Sequence, residues 1–327
     1  MTDSFDKDKE KCTYVLYKDR EDWKDVKPIP QDDGPNPVVV IAYSKKFVDA
    51  HDYFRAILKS GEISERCLEL TKNVILLNPA NYTAWRYRRY LLFHLKMELS
   101  EEFAFTEEIA LSFPKNYQVW HHRHALVEFT NDASRELAFT ALLLDCDGKN
   151  YHAWTHRQWV IKKFQLFHDE LNYSSDMIGE DVYNNSAWNQ RNFVIVNTTG
   201  ILIFILMYIF LSKKGYTSEV LTEEIKYTLS KIIIAPANES PWNYLRGALM
   251  RGKLYHSFPI IFETLNDLYN SLTTPSAYLL EFLAEFYQQK MDPKCLSFYE
   301  KLIKFDQIRE KYWNYRHDKA LNILNGA

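Results

Sequence analysis

A lysine directly before a predicted helix start is the residue best placed to bind an anion. Lys149 precedes Asn150, which we expect to cap a helix. A cation is unfavourable there because the N-terminal end of a helix is already partly positive. An ammonium group together with the first N–H groups of a helix would instead suit an anion such as a diphosphate. Lys115 precedes Asn116 in the same local context, so a solvated lysine without function is the alternative interpretation.

Histidines follow the same helix start. His152 and His156 lie four residues apart, which puts both rings on one helix face and would suit a metal ion. No glutamate follows His152 as in the zinc-protease motif, and no third ligand is evident. A packed or interface pair is therefore the favoured interpretation, also for His121, His122 and His124. Because the four cysteines are never at Cys-x-x-Cys spacing, we predict no metal site on this chain.

These residues belong to a sequence repeat. Four tryptophans stand 35, 34 and 34 residues apart and two more follow, with Asn four residues before five of them and Arg three residues after five. The tryptophans are Trp85, Trp120, Trp154, Trp188, Trp242 and Trp313, and the arginines are Arg88, Arg123, Arg157, Arg191 and Arg316. Tyr278 lies midway between the last two tryptophans and predicts a degenerate repeat.

Each repeat has the pattern of two helices. Segments such as SERCLELTKNVILL carry apolar residues at three- and four-residue steps, and the Asn before each Trp suits a helix N-cap. Hairpins of this length cannot bury their apolar faces alone. We therefore predict an all-α superhelix, a solenoid of about seven helical hairpins resembling a tetratricopeptide crescent. Each Trp should fill a seam between hairpins, and each Arg should bind neighbouring carbonyl or carboxylate groups.

Composition excludes several classes of protein. Nine glycines in 327 residues and 15% aromatic residues argue against a β-sandwich, a glycine-rich dinucleotide fold and a mainly disordered chain. The formal net charge of −3 gives no general attraction to nucleic acid, so no such partner is expected. The charged start does not resemble a secretory signal, and unpaired cysteines suit a reducing compartment. We therefore expect a cytoplasmic protein.

The predicted segments are a disordered N-terminus (1–13), an extended opening segment (14–48) and the repeat solenoid (49–327). An apolar insertion, 201–215, lengthens the step from Trp188 to Trp242 to 54 residues. Its apolar core of 11 residues is too short for a membrane span, which needs about 20. It is a helix extension, a hairpin touching a membrane or partner, a loop without function, or a retained intron; we favour the last two.

The pattern Asn-Tyr-x-x-Trp-x-x-Arg at this period resembles the α subunits of heterodimeric protein prenyltransferases, over roughly residues 14–320. The stretches KNYHAWTHRQWVI and NNSAWNQRNFVIVNTTG resemble them most. The opening segment, outside any repeat, resembles the subunit shared by farnesyltransferase and geranylgeranyltransferase type I. The Rab-type α subunit resembles this chain less there, and it remains an alternative beside a non-catalytic tetratricopeptide-like scaffold.

The resemblance implies a β subunit as partner, which would hold a zinc ion, the isoprenoid pocket and most of the peptide groove. Together the subunits would transfer a farnesyl or geranylgeranyl group from its diphosphate to the Cys thiolate of C-terminal CaaX (Cys-a-a-X) proteins, with Mg²⁺ as a further cofactor. It implies that Lys149 is the catalytic residue contacting the departing diphosphate. Tyr151 and His152 would face the cleft as substrate-binding residues. Asn184 would lie near the diphosphate besides capping its helix.

Overall fold

The structure, a computed structural model, describes residues 14–198, 217–252 and 259–326. The predicted disordered N-terminus and the apolar insertion 201–215 lie outside the described residues. The chain divides into two compact units. The first holds the residues up to Cys146 together with Asn150–Arg157, and the second holds Asp147–Lys149 together with the residues from Gln158 onward.

Helices are the regular elements of both units. Those of the first unit are α1 (Lys45–Ser60), α2 (Glu65–Leu77), α3 (Tyr82–Leu95), α4 (Ser100–Ser112), α5 (Tyr117–Thr130), α6 (Glu136–Cys146) and the first half of α7 (Tyr151–Phe164). Those of the second unit are the rest of α7 with α8 (Glu170–Glu180), α9 (Asn185–Thr198), α10 (Ser218–Ile234), α11 (Glu239–Gly252), α12 (Pro259–Ser271), α13 (Ala277–Gln289), α14 (Lys294–Phe305) and α15 (Glu310–Asn325). Within the described ranges, α1 precedes seven helical hairpins and no strand is present, so the predicted all-α class is confirmed.

The opening segment docks on the first two helices. It forms two short 3-10 turns, Tyr17–Asp19 and Glu21–Trp23, and is otherwise irregular up to α1. The rings of Tyr17 and Trp23 are buried, with centroids 5.9 Å and 5.6 Å from that of Tyr53 on α1. The backbone N–H of Tyr17 donates to Asp49 Oδ2 at 2.6 Å. This aromatic cluster fixes the segment to the start of the helical stack.

Asparagine N-caps start the second helix of five hairpins. The side-chain oxygens of Asn81, Asn116, Asn150, Asn184 and Asn238 accept backbone N–H groups of the following turn at 2.9–3.3 Å. Three of these side chains also donate from Nδ2 to a carbonyl of the preceding repeat. These bonds are Asn150 to Pro114 (3.1 Å), Asn184 to Gly148 (2.9 Å) and Asn238 to Val182 (2.7 Å). A single amide thus starts a helix and joins it to the repeat before.

The repeat tryptophans are all buried, with exposed fractions from 0% to 6%. Four indole N–H groups donate to the carbonyl six residues earlier, at 2.8–3.1 Å. Trp313 instead donates to the Asp306 carboxylate at 2.8 Å. These five indole groups therefore close the turns that precede their own helices while their rings pack in the core.

Buried glutamates connect successive repeats in what we call the buried ladder. In each rung a glutamate accepts a hydrogen bond from the side chain two residues after the next tryptophan. Glu102, Glu136 and Glu224 also bind a repeat arginine. The rungs are Arg88–Glu102–His122, Arg123–Glu136–His156, Glu170–Gln190 and Arg191–Glu224–Tyr244. The arginines also donate to helix oxygens: Arg88 to the Leu68 carbonyl, Arg123 to the Phe103 carbonyl, Arg157 to the Leu137 carbonyl and Arg191 to Ser175 Oγ. These glutamates were not predicted from the sequence.

The degenerate repeat predicted around Tyr278 is present as the hairpin of α12 and α13. Ser276 caps α13, since its Oγ accepts the Leu279 N–H at 3.2 Å and donates to the Pro236 carbonyl at 2.7 Å. Ser276 therefore holds the place of the capping asparagine. The tryptophan place, four residues later, is held by the fully buried Leu280. A serine cap and a leucine wedge carry no Asn or Trp signal, so the repeat could not be aligned by pattern.

Candidate active site

Lys149 lies in an exposed turn before α7, in the second unit. Its side chain is 59% exposed, and its Nζ is 3.6 Å from Oδ2 of Asp181, whose side chain is 49% exposed. The backbone N–H of Lys149 donates to Asp147 Oδ1 at 3.1 Å. The Asp181 carboxylate therefore provides the compensation that a cation beside a helix start requires.

The first N–H groups of α7 are already bonded. Asn150 Oδ1 accepts the N–H groups of His152 at 2.9 Å and Ala153 at 3.0 Å. The predicted anion site invoked such N–H groups as donors, and the structure assigns these two to the cap instead. What this turn offers an anion is the ammonium group of Lys149, on a flexible stem and open to solvent.

Asn184 joins the turn before α9 to the turn that contains Gly148 and Lys149. It is 3% exposed, its Oδ1 accepts the N–H groups of Ser186 and Ala187, and its Nδ2 donates to the Gly148 carbonyl. The amide thus has backbone partners on both sides. The structure gives Asn184 a structural role, and a contact with a ligand stays a prediction.

Tyr151 and His152 belong to the first unit, where they form an aromatic group with Tyr117. The His152 ring lies 4.3 Å from that of Tyr117 and 5.5 Å from that of Tyr151, edge to face in both cases. Burial lowers the pKa of His152, so the ring is neutral near pH 7. Tyr151 is 69% exposed. A neutral and partly exposed aromatic surface of this kind can pack against an apolar chain.

Exposure does not distinguish Tyr151 from the tyrosines at the same position in other repeats, because Tyr82 and Tyr117 are also exposed at the first residue of their helices. The histidine pair predicted on one helix face has divided roles. His156 lies in the buried ladder, with Nε2 2.7 Å from Glu136, while His152 lies in the aromatic group.

No group of three or more His, Cys, Asp and Glu side chains that could hold a metal ion occurs among residues 14–198, 217–252 and 259–326. In the same ranges no helix has the length and apolar character needed to cross a membrane.

Helical hairpins with a repeated Asn, Trp and Arg define a class of α-helical repeat protein. A sequence model of the family described as "Protein prenyltransferase alpha subunit repeat" matches five segments of the chain. They are residues 64–95, 99–130, 133–164, 167–198 and 221–252.

Two relatives named protein farnesyltransferase/geranylgeranyltransferase type-1 subunit alpha align with most of the chain, and a third aligns with 30% of it. The Schizosaccharomyces pombe protein is 52% identical over 260 residues, covering 79% of this chain and 82% of that protein. The Candida albicans protein is 32% identical over 310 residues, covering 92% and 98%. The Solanum lycopersicum protein is 53% identical over 98 residues, and this match spans 28% of that protein.

A solved structure has the same fold. It is titled Candida albicans protein geranylgeranyltransferase-I complexed with GGPP, and its matched chain superposes with a TM-score of 0.78 at 30% identity. The match covers 92% of this chain and 99% of that one. The chain belongs to the family of protein prenyltransferase α subunits. The prediction of an enzyme subunit of the farnesyltransferase/geranylgeranyltransferase type I kind is confirmed.

The two alternatives are not favoured. The geranylgeranyl transferase type-2 subunit alpha of Rattus norvegicus is 40% identical over 74 residues, which cover 20% of this chain and 13% of that protein. The matches to the S. pombe and C. albicans proteins, over 260 and 310 residues, are to relatives of the type-1 kind. A non-catalytic tetratricopeptide-like scaffold is disfavoured because the family model matches prenyltransferase repeats.

Proposed function

We propose that this chain pairs with a β subunit and that the heterodimer transfers a farnesyl or geranylgeranyl group from its diphosphate to the cysteine of C-terminal CaaX sequences. The observation that carries the proposal is the 52% identity with the S. pombe subunit over 260 residues. Zinc on the β subunit and Mg²⁺ as a further cofactor are part of the proposal. So is a cytoplasmic location, which the free thiols of Cys67, Cys146 and Cys295 support.

The mechanistic share of this chain is electrostatic. In prenyl transfer a bond forms between the cysteine sulfur and the prenyl carbon, while the bond from that carbon to the diphosphate oxygen breaks. The bonding electron pair stays on the diphosphate, so negative charge accumulates there. We propose that the Lys149 ammonium meets this charge. Its exposure at a hydrogen-bonded turn supports the role, and one well-placed donor is worth about 2.7–4 kcal/mol of barrier.

The other site residues would shape the cleft. The aromatic group formed by Tyr151, His152 and Tyr117 offers an apolar surface for the prenyl chain or the peptide, supported by its exposure and by the neutral His152 ring. Asn184 would act at the diphosphate end by holding its turn against Gly148.

The test is a transfer assay with the purified heterodimer. The chain is co-expressed with candidate β subunits, and transfer to a CaaX peptide is measured from each prenyl diphosphate. We expect Lys149→Ala to lower turnover by about 100-fold or more while the heterodimer stays intact. Lys115→Ala is the matched control because Lys115 occupies the same Lys-Asn-Tyr context, and it should retain turnover within about twofold.

Two outcomes would contradict the proposal. Turnover close to the unsubstituted level in Lys149→Ala would remove the assigned role of this lysine. Activity on proteins with double-cysteine tails, and none on CaaX peptides, would place the chain with the type-2 subunits instead.

A further inference from the structure

Asp181 is the carboxylate that faces Lys149. The two charged groups are 3.6 Å apart, which is longer than a direct N–H···O hydrogen bond of about 2.7–3.2 Å. Both side chains are about half exposed, and such a pair is held together by about 0–1 kcal/mol. The ammonium is therefore kept near the carboxylate but can leave it at small cost.

The position of Asp181 itself is fixed by its backbone. Its N–H caps α8 by donating to the Met177 carbonyl at 3.1 Å, and its Oδ1 accepts the Tyr183 N–H at 2.9 Å. Its carbonyl accepts the Asn184 N–H at 2.9 Å. The carboxylate thus has one oxygen bonded within the turn and the other directed to Lys149.

A second contact ties the two turns together. Asn184 Nδ2 donates to the carbonyl of Gly148, the residue before Lys149. The turn that carries Asp181 is therefore connected to the turn that carries Lys149 by one hydrogen bond from a side-chain amide to a backbone carbonyl and by one ion pair. This arrangement restricts where the ammonium can lie.

We propose that Asp181 is a positioning residue for Lys149, an inference that rests on the proposed function. The carboxylate holds the ammonium in place before the reaction and releases it to the diphosphate as that group takes up charge. Before the bond to the prenyl carbon breaks, the Asp181 carboxylate competes with the diphosphate for the Lys149 ammonium. The carboxylate also repels the diphosphate, because both are negatively charged. The interaction with Lys149 is thereby strongest in the transition state, where it speeds the reaction, rather than in the bound substrate.

Asp181→Asn tests the inference with little risk to the fold. In the first repeat Asn78 lies three residues before the capping asparagine, as Asp181 does in its own repeat. The Asn78 Oδ1 accepts the Ala80 N–H at 3.1 Å in the same kind of turn. We expect the KM for the prenyl diphosphate to fall by about 2- to 5-fold, since a repelling charge is removed. The single-turnover rate constant should fall by about 3- to 10-fold, since the ammonium is no longer oriented.

A double-mutant cycle separates positioning from a purely structural role. If Asp181 acts through Lys149, Asp181→Asn should change the single-turnover rate by less than about twofold in the Lys149→Ala background. Asp181→Glu, which keeps the charge, should restore most of the rate. Asp292→Asn is the control, because Asp292 Oδ1 makes the same turn bond to the Lys294 N–H at 2.9 Å, and its rate and KM should not change.

The failures of the two proposals differ. An equal loss of rate on Asp181→Asn in both backgrounds, or no loss in either, would overturn the positioning role and leave the catalytic role of Lys149 standing. Normal turnover of Lys149→Ala would overturn the proposed role of Lys149, and the positioning role with it, while the transferase function would stand.

Discussion

The buried ladder and the Lys149–Asp181 pair use the same chemistry in opposite surroundings. In the ladder, the side chains of Arg123 and Glu136 are each 1% exposed and bond to each other at 2.8 Å. Glu136 also binds His156. The Lys149–Asp181 pair is about half exposed, and its charges are 3.6 Å apart. The ladder recurs from repeat to repeat and holds the hairpins together. The comparison shows that burial, rather than charge, separates the ion pairs that hold this protein together from those that stay open to solvent.

The largest expected effect is on the ladder. Glu136→Ala would leave the buried Arg123 guanidinium without its carboxylate, so the free energy of unfolding should fall by about 3–5 kcal/mol. Urea denaturation of the full chain measures this. Glu223→Ala, which removes an exposed pair with Lys226, should cost at most about 1 kcal/mol. Similar losses for the two variants would break the distinction between buried and exposed pairs.

A smaller effect is expected at the asparagine caps. Asn184→Ala should lower the free energy of unfolding by about 2 kcal/mol, from a cap and a hydrogen bond to Gly148 worth about 1 kcal/mol each. Asn81→Ala, measured in the same way, should cost about 1 kcal/mol as a cap. Equal losses would mean that the link to the preceding repeat contributes nothing.

The ladder should also respond to pH through His122. Burial lowers the pKa of His122 from 6.5 to about 4, although the bond to Glu102 opposes this. Burial would raise the pKa of Glu102, but hydrogen bonds from His122 and Arg88 lower it to about 2. Between pH 6.5 and 4 the unfolded chain therefore binds a proton at His122 that the folded chain does not. The stability contributed by the neutral ring is present above pH 6.5 and is lost as the pH falls toward 4.

His122→Gln should flatten this dependence. Gln190 takes the same ladder place and donates to Glu170 at 2.7 Å without titrating. We expect the fall in unfolding free energy between pH 6.5 and 4 to become shallower by on the order of 1 kcal/mol per pH unit, while stability at pH 7 is nearly kept. Urea titrations at several pH values measure the slope. An unchanged slope would show that His122 does not exchange the proton.

The smallest effect on stability is expected at the exposed pair. Lys149→Ala and Asp181→Asn should each change the free energy of unfolding by less than about 1 kcal/mol, because the pair is solvated. Thermal denaturation of the purified heterodimer provides the comparison with its activity. A large loss of stability in either variant would mean that the pair is part of the architecture.

The sequence was sufficient where the signal is periodic. Helical hairpins follow from the apolar steps, and the helix starts follow from the Asn before each Trp. The ladder glutamates carry a usable signal as well, since Glu102, Glu136 and Glu170 stand 34 residues apart and Glu224 follows after 54, the same step as Trp188 to Trp242. Following charged residues at the tryptophan period would have found them.

Other features had no such signal. The ion pair of Lys149 with Asp181 joins two irregular turns, and the distance between two turns depends on the packing of the helices that carry them. The register at Ser276 was missed because neither the cap nor the wedge is of the usual residue type. The docking of Tyr17 and Trp23 on α1 depends on aromatic packing outside any repeat.

The capping side chains reach back over unequal stretches of chain. Asn150 and Asn184 bond to carbonyls 36 residues earlier, Ser276 to one 40 residues earlier and Asn238 to one 56 residues earlier. Neighbouring modules are therefore aligned by where the acceptor lies in space and not by a residue count. Such a protein can gain or lose residues in the connections during evolution while its modules keep their alignment.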